Sequence, residues 1–428
     1  MRYFKLASIA LVAGCSTVAP PHAPKPPEKA SAEALAALHD QHIVRAITRR
    51  VFTHDEYWSA VAPFTTGVVR KDEAGRSAHG RPIYLLTYGN GPIHVLLWSQ
   101  MHGDESTASM ALADLLQYLH GGDARTQRWA ERLTIYMIPM LNPDGAQRFQ
   151  RENALGIDVN RDARMQSTPE GRTLKAVRDR VQPRFGFNLH DQNVRTRVGN
   201  SSRTAAISLL APPFDASGSV NDVRRRAQQV AAVIRNSIEP LVGGHITKYD
   251  ESFNPRAFGD LMQQWGTSTV LIESGGWRGD PQKQHLRGAN FVALLAAFDA
   301  IADGSYAEAR VADYESLPPN GRAARDLLVR GGTIIVPGLA PYRADLAIDL
   351  EEERPDQPAS ARIAEVGDLA EVQARDTVDA TGLFVHPAEM ALAGEPGERR
   401  FLRVGGPASF TITRSEQPGG EPVHRITN

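Results

Sequence analysis

Cysteine is almost missing from this chain. Cys15 is the only one in 428 residues, so no disulfide can form within it. An excess of charge of either sign is missing too. Formal net charge is -1, which leaves no global field to recruit nucleic acid or an anionic surface, and no nucleic-acid partner is expected. The N-terminal apolar run, Leu6–Ala13, is far shorter than the roughly 20 residues a membrane-spanning helix needs. What is present is an ordinary globular composition, 42% hydrophobic and 23% charged, in a chain long enough for a large core and a second, smaller unit.

The first residues read "MRYFKLASIALVAGC". Arg2 and Lys5 form a short basic head ahead of the apolar run, which is the shape of an export signal. The run ends in Val12-Ala13-Gly14-Cys15, which resembles the lipobox of bacterial lipoproteins. That resemblance implies a signal peptide over residues 1–14, lipidation at Cys15, and attachment to a membrane through the N-terminal lipid. It also implies a location in the bacterial cell envelope. Ser16 after the cysteine, rather than Asp, points by the same resemblance to the periplasmic face of the outer membrane. Residues 15–33 are proline-rich and read as a tether with little to bury.

From 34 to 304 short apolar runs alternate with helical periods. "IHVLLWS" (93–99), "LTIYMIPML" (133–141), "FGFNLH" (185–190) and "TSTVLIES" (267–274) read as buried strands. Leu112, Leu115, Leu116 and Leu119 keep helical spacing, as do Val223, Ala227, Val230, Ile234 and Ile238. Strands buried on both faces and alternating with helices predict an α/β domain with a mixed central sheet flanked by helices. "SLPPNGR" reads as a linker, and short β-like runs with Gly and Pro turns then predict a small all-β domain over 323–428.

Each of the four strands runs into polar residues: His102 and Glu105, Asn142-Pro143-Asp144-Gly145, His190-Asp191, and Glu273-Ser274. Ligand sites in open α/β sheets gather at the carboxyl ends of strands, so these clusters can share one mouth. In His102-Gly103-Asp104-Glu105 the spacing lets an imidazole and a carboxylate point the same way off one turn and share a cation. His190, closing another strand, is the natural third ligand. Zinc suits that mixture of donors, with a fourth position left to water.

His102-x-x-Glu105, Asn142-Pro143-Asp144-Gly145, Arg151 nine residues before Asn160-Arg161, His190 and Glu273 occur in that order. Together they resemble the zinc carboxypeptidase family typified by carboxypeptidase A, over roughly 60–290. The resemblance implies a zinc-dependent metallocarboxypeptidase that hydrolyses the C-terminal amide bond of peptides. It assigns His102, Glu105 and His190 as zinc ligands and Glu273 as the general base. Arg151 matches the arginine that polarises the scissile carbonyl, while Asn160 and Arg161 match the pair that grips a terminal carboxylate. A fixed guanidinium suits both tasks. The expected partner is therefore a peptide, or a murein peptide, that ends in a free carboxylate.

The chain departs from the family pattern in places. Asp162-Ala163 follows Asn160-Arg161 where many relatives have Asn-Phe. Tyr249, twenty-four residues before Glu273, is the nearest match to the family's capping tyrosine, with Phe258 in competition. Asp260 or Arg256 can select a charged side chain or simply brace their loop. The His-Gly-Asp-Glu string is also similar to murein-peptide amidases and to acyl-amino-acid deacylases, which use the same zinc site. A non-catalytic binding protein on this fold is the alternative of a different class, though a binder has no need of Glu273. The C-terminal stretch is weakly similar to the β-sandwich of amidohydrolases. His386 is followed by Pro387-Ala388, so the His-x-His of those enzymes is missing and no second metal site is expected there.

Overall fold

The computed structural model describes residues 31–351, 358–394 and 399–427. The expected signal peptide, Cys15 and most of the tether lie outside the described residues. At the end of the predicted tether a helix has already begun. Ser31 caps it over Ala32–Gln41, its hydroxyl accepting from the Ala34 amide at 3.2 Å. From Ser31 onward the chain is one compact unit. No helix among the described residues is long and apolar enough to cross a membrane.

The central sheet has eight strands. These are β1 (Val69–Arg76), β2 (Pro82–Tyr88), β3 (Ile93–Ser99), β4 (Leu133–Ile138) and β5 (Phe185–Asp191), then β7 (Ile207–Leu210), β8 (Ile246–Lys248) and β9 (Ser268–Ser274). A two-residue strand, β6 (Arg197–Val198), lies outside that sheet. The spatial order is β1-β2-β4-β3-β5-β9-β7-β8. Its centre, β4-β3-β5-β9, is parallel, while β2 joins β4 and β7 joins β9 antiparallel, so the sheet is mixed.

Side-chain alternation sends Leu96 and Trp98 of β3 to one face. There they pack with Leu174, Val177 and Val181 of the helix Pro169–Val181 and with Phe258, Leu261 and Met262 of the helix Phe258–Gln264. The helix Gln284–Asp303 packs against both Thr107–Gly121 and Asp222–Val242, which lie against β5 and β9 of the sheet respectively. A buried ion pair locks two of them to the N-terminal segment. Asp114 takes Arg287 Nε at 2.6 Å, His39 Nε2 at 2.9 Å and the Val44 amide at 2.8 Å. Removing one partner of such a pair costs about 3–5 kcal/mol, because the other charge is left alone in the core.

The C-terminal region is β-rich, with a short 3-10 turn at Glu389–Ala391. The chain there runs through β10 (Asn320–Gly321), β11 (Arg325–Arg330), β12 (Thr333–Ile334), β13 (Tyr342–Arg343), β14 (Asp345–Glu351), β15 (Ser360–Gly367) and β16 (Ala374–Asp379). It continues through β17 (Phe384–Pro387), β18 (Leu392–Ala393), β19 (Phe401–Leu402), β20 (Phe410–Thr413) and β21 (Pro422–Ile426). A four-stranded sheet, β15-β14-β11-β16, and a five-stranded one, β13-β12-β17-β20-β21, enclose their own core around Val329, Ile348, Ile363, Val385 and Ile412. The stretch read as a linker does not hang free. Asn320 and Gly321 pair with β6, and the Pro318 and Pro319 carbonyls accept from the Lys248 and Gly199 amides.

Candidate metal centre and active site

The site is assembled where the parallel strands end. After β3, Gln100 turns the chain with a φ of 45°, and His102 follows. The segment is stitched to the end of β4: the Leu141 amide donates to Ser99 O at 3.0 Å and Asn142 to Gln100 O at 2.9 Å. Gly103 must be glycine, since a β-carbon there would sit 1.9 Å from the Gly145 carbonyl carbon. The Asn-Pro-Asp-Gly motif therefore works as a brace. Asn142 Oδ1 accepts from the Gly145 amide at 2.9 Å, and Asp144 takes Arg81 Nη1 at 2.6 Å and the His79 amide at 3.0 Å.

His102, Glu105 and His190 come together as a buried trio whose potential ligand atoms lie within 4.8 Å of one another. His102 Nδ1 is 2.8 Å from Glu105 Oε1, His190 Nδ1 is 2.6 Å from Glu105 Oε2, and the two Nδ1 atoms are 3.2 Å apart. Zinc bonds of about 2.0–2.1 Å in tetrahedral geometry separate neighbouring donors by about 3.3 Å, so the imidazole pair already has zinc spacing. The donor chemistry fits as well. His102 Nε2 donates to Asp158 Oδ1 at 2.9 Å, which leaves Nδ1 of the neutral ring as a lone pair facing the trio. Glu105 is steadied further by the Asp191 amide at 3.2 Å.

Charge in the trio is interdependent. Burial opposes ionisation of Glu105, but the two imidazoles outweigh it and hold the carboxyl well below its ordinary range. Burial also disfavours His102 as a cation, yet Glu105 and Asp158 raise it to about 9. His190 moves the other way, lowered by its complete burial. A cation bound here displaces those ring protons, so its affinity must weaken as pH falls.

Asp158 is a residue the sequence reading passed over. Its other oxygen takes Arg151 through Nη2 at 2.9 Å and Nε at 3.1 Å, and Oδ1 also accepts the Asn160 amide at 2.8 Å. One carboxylate thus orients a trio histidine, the arginine and the Asn160 turn. Burial pushes against its charge, but His102 and Arg151 hold it far below the usual carboxylate range. The signal for it was its place in "GIDVNR", two residues ahead of Asn160. Asp158→Asn is expected to weaken zinc binding by about 10–100-fold, the usual cost of losing an outer partner of a ligating histidine. Competitive chelator titration measures this directly, and an unchanged affinity removes Asp158 from that role.

A cleft of about 1030 Å³ joins the remaining candidates. His102, Glu105, Arg151, Asn160, Arg161, Tyr249 and Glu273 all line it. Glu273 on β9 is the register partner of His190 on β5, and it is 7% exposed. Burial and the Glu105 charge push its carboxyl well above the ordinary value, with His102 and Arg151 pulling the other way. Arg151 Nη1 reaches Glu105 Oε1 at 3.3 Å. Asn160 Oδ1 accepts from the Phe258 amide at 2.9 Å, and Arg161 is exposed at the cleft.

Tyr249 is half-buried, and Glu273 is the leading cause of its raised phenol pKa, so the two groups face one region. Its competitor Phe258 is buried in the core. Asp260 lines the cleft, takes the Asn254 amide at 2.8 Å, and is pushed by burial to about 6. Behind the trio, Asp191 Oδ2 accepts from Thr107 at 2.7 Å and from the buried Lys283 at 3.2 Å.

The sequence profile of the family described as zinc carboxypeptidase matches residues 55–200. Carboxypeptidase SOL1 of Arabidopsis thaliana is 27% identical over 128 residues, 27% of this chain and 26% of that protein. Carboxypeptidase D of Mus musculus is 30% identical over 143 residues, 24% of this chain and 10% of that protein. The chain thus spans about a quarter of the first relative and a tenth of the second. Among solved structures, a metallo-carboxypeptidase from Burkholderia cenocepacia superposes with a TM-score of 0.48 at 19% identity, covering 59% of this chain and 70% of that one. The matched segment, which is similar to zinc carboxypeptidases, holds His102, Glu105 and His190.

Proposed function

We propose that this protein is a zinc-dependent carboxypeptidase that removes single residues from peptides ending in a free carboxylate. The observation that carries this is the convergence, in one cleft, of a His/Glu/His trio, a separate buried glutamate in register with the second histidine, and an Asn-Arg pair. His102, Glu105 and His190 would hold the zinc. When bound, that ion supplies Lewis acidity, which polarises a carbonyl and makes a water acidic enough to give up its proton near neutral pH.

Everything else is done by side chains of the chain. Asn160 and Arg161 hold the terminal carboxylate, fixing which bond lies over the site. Arg151, aimed by Asp158, stabilises negative charge on the scissile carbonyl oxygen as it develops. Glu273 takes the proton of the attacking water and passes it to the leaving amine, work worth about 10²–10⁴ in rate. Tyr249 closes over the substrate from the Glu273 side.

A murein peptide with a free carboxylate is a substrate of the same chemical class. It would be available to a lipid-anchored envelope protein, a location supported by the basic head, the apolar run and Cys15 at its end. The test is mass spectrometry of products from the zinc-loaded protein given matched peptides, free or amidated at the C-terminus, beside a murein tripeptide and acyl-amino acids. Single-residue loss from the free acids, with amides slower by at least about 10²-fold, is the expected result. Cleavage confined to the murein or acyl substrates would replace the peptide reading with the corresponding amidase. Silence on every substrate with zinc bound would leave a binding protein.

A further inference from the structure

The cleft is not walled by the carboxypeptidase-like part alone. Asn320, Gly321, Leu350 and Glu351 line it too, and all four come from the C-terminal β region. That region is built onto the loop leaving β5 directly after His190. Asn320 Nδ2 donates to Gln192 Oε1 at 2.7 Å, and the Ala324 amide to Arg195 O at 2.9 Å. Arg195 Nη1 in turn donates to Asp326 Oδ2 at 3.1 Å and to Leu350 O at 3.4 Å. Asp326 Oδ2 also accepts the Leu350 amide at 2.7 Å. Gln192 and Arg195 themselves line the cleft.

The backbone of Leu350 is therefore pinned from both sides while its side chain is free of the core. β14 is buried from Leu346 to Ile348, half-buried at Asp349, and then exposed, with Leu350 at 55%. A lone exposed leucine on a protein surface means nothing. An exposed leucine whose backbone is hydrogen-bonded on both sides, in the wall of the cleft that contains the trio, is different, because bound substrate would cover it. The opposite requirement comes from the other end of the site. If Asn160 and Arg161 hold the terminal carboxylate, the rest of the peptide must leave past other walls. The loop 192–196 and the Asn320–Gly321 and Leu350–Glu351 segments are walls of that kind.

We propose that Leu350, with the pinned 192–196 loop, forms a subsite for the peptide segment on the amino side of the bond that is cut, and that it favours an apolar side chain there. This rests on the carboxypeptidase reading above. The consequence is a preference for peptides longer than a blocked dipeptide.

The experiment uses the full zinc-loaded chain and substrates sharing the same last two residues: an N-acetyl dipeptide, and longer N-acetyl peptides with Leu or Asp upstream. The Leu-bearing peptides are expected to exceed the dipeptide in kcat/KM by about tenfold, the scale on which an apolar pocket discriminates. Leu350→Asp should erase most of that gain while the dipeptide rate stays within about twofold, and Leu350→Met should keep it. Leu350 belongs to neither buried cluster of the C-terminal region, and equal Tm values for the wild type and both variants check that the fold is kept. A wild-type rate that ignores length, or a Leu350→Asp protein that keeps the length gain, would overturn the subsite. Failure of the wild type to cut any peptide of the series would instead sink the carboxypeptidase reading, and the subsite with it.

Discussion

Replacing Glu273 by glutamine is expected to leave zinc stoichiometry unchanged and to lower kcat by about 10²–10⁴-fold. The three candidate metal donors are His102, Glu105 and His190, so the substitution removes none of them. Glutamine matches glutamate in size, and the position is nearly closed to solvent, so packing around β9 is kept. What disappears is the proton acceptor. A carboxylate buried at a strand end beside another carboxylate costs free energy to keep, which is why burial and Glu105 raise its pKa so far. A divalent cation on Glu105 offsets the like-charge part of that rise, so Glu273 is more readily ionised, and so available as a base, when the metal arrives. Metal analysis and single-turnover rates on the same preparation make the check. A Glu273→Gln protein that turns over at the wild-type rate would overturn the assignment of the base.

The parts of this arrangement differ in how far they could be read from the sequence. Buried parallel strands advertise themselves as solid apolar runs, and "IHVLLWS" marks β3 from Ile93 to Ser99, the bounds it has in the fold. The expected strand 133–141 overshoots, because β4 ends at Ile138 and Pro139, Met140 and Leu141 stay apolar while turning into the Asn142 brace. The strands β1, β7 and β8 left no such mark. "VRKDEAGR" is a polar edge, and four and three residues are too few for a period to show.

The same division holds in the site. His102 and Glu105 are three residues apart, and local spacing was enough to pair them. Asp158 meets His102 across 56 positions, and Leu350 meets Arg195 across 155. Contacts of that kind are set by how the chain returns on itself, and no local pattern announces them. The packing of the linker stretch is hidden for the same reason. Pro318, Pro319 and Gly321 look like a break, yet the hydrogen bonds that hold them come from Gly199 and Lys248, far back in the chain.

His190→Ala is the second large effect, and it separates metal binding from chemistry. Two donors, His102 and Glu105, remain, and they lie on one turn that offers no opposing side to enclose the ion. Affinity for zinc is expected to fall by more than the about 10–100-fold of an outer-partner loss, since here a donor itself is removed. Stability gives a readout that needs no substrate. A ligand bound only by the folded state adds about 4.1 kcal/mol when present at a thousand times its Kd, so zinc should raise the wild-type Tm and a chelator should reverse the gain. His190→Ala should lose most of that gain along with activity. Glu273→Gln should keep all of it while losing activity, so the two variants cross over in a single pair of measurements. A His190→Ala protein with the full zinc-dependent rise in Tm would mean that the ion sits elsewhere and that the convergence of His102, Glu105 and His190 has another cause. Loss of the rise in that variant, beside its retention in Glu273→Gln, would tie the ion to this trio and the proton to Glu273.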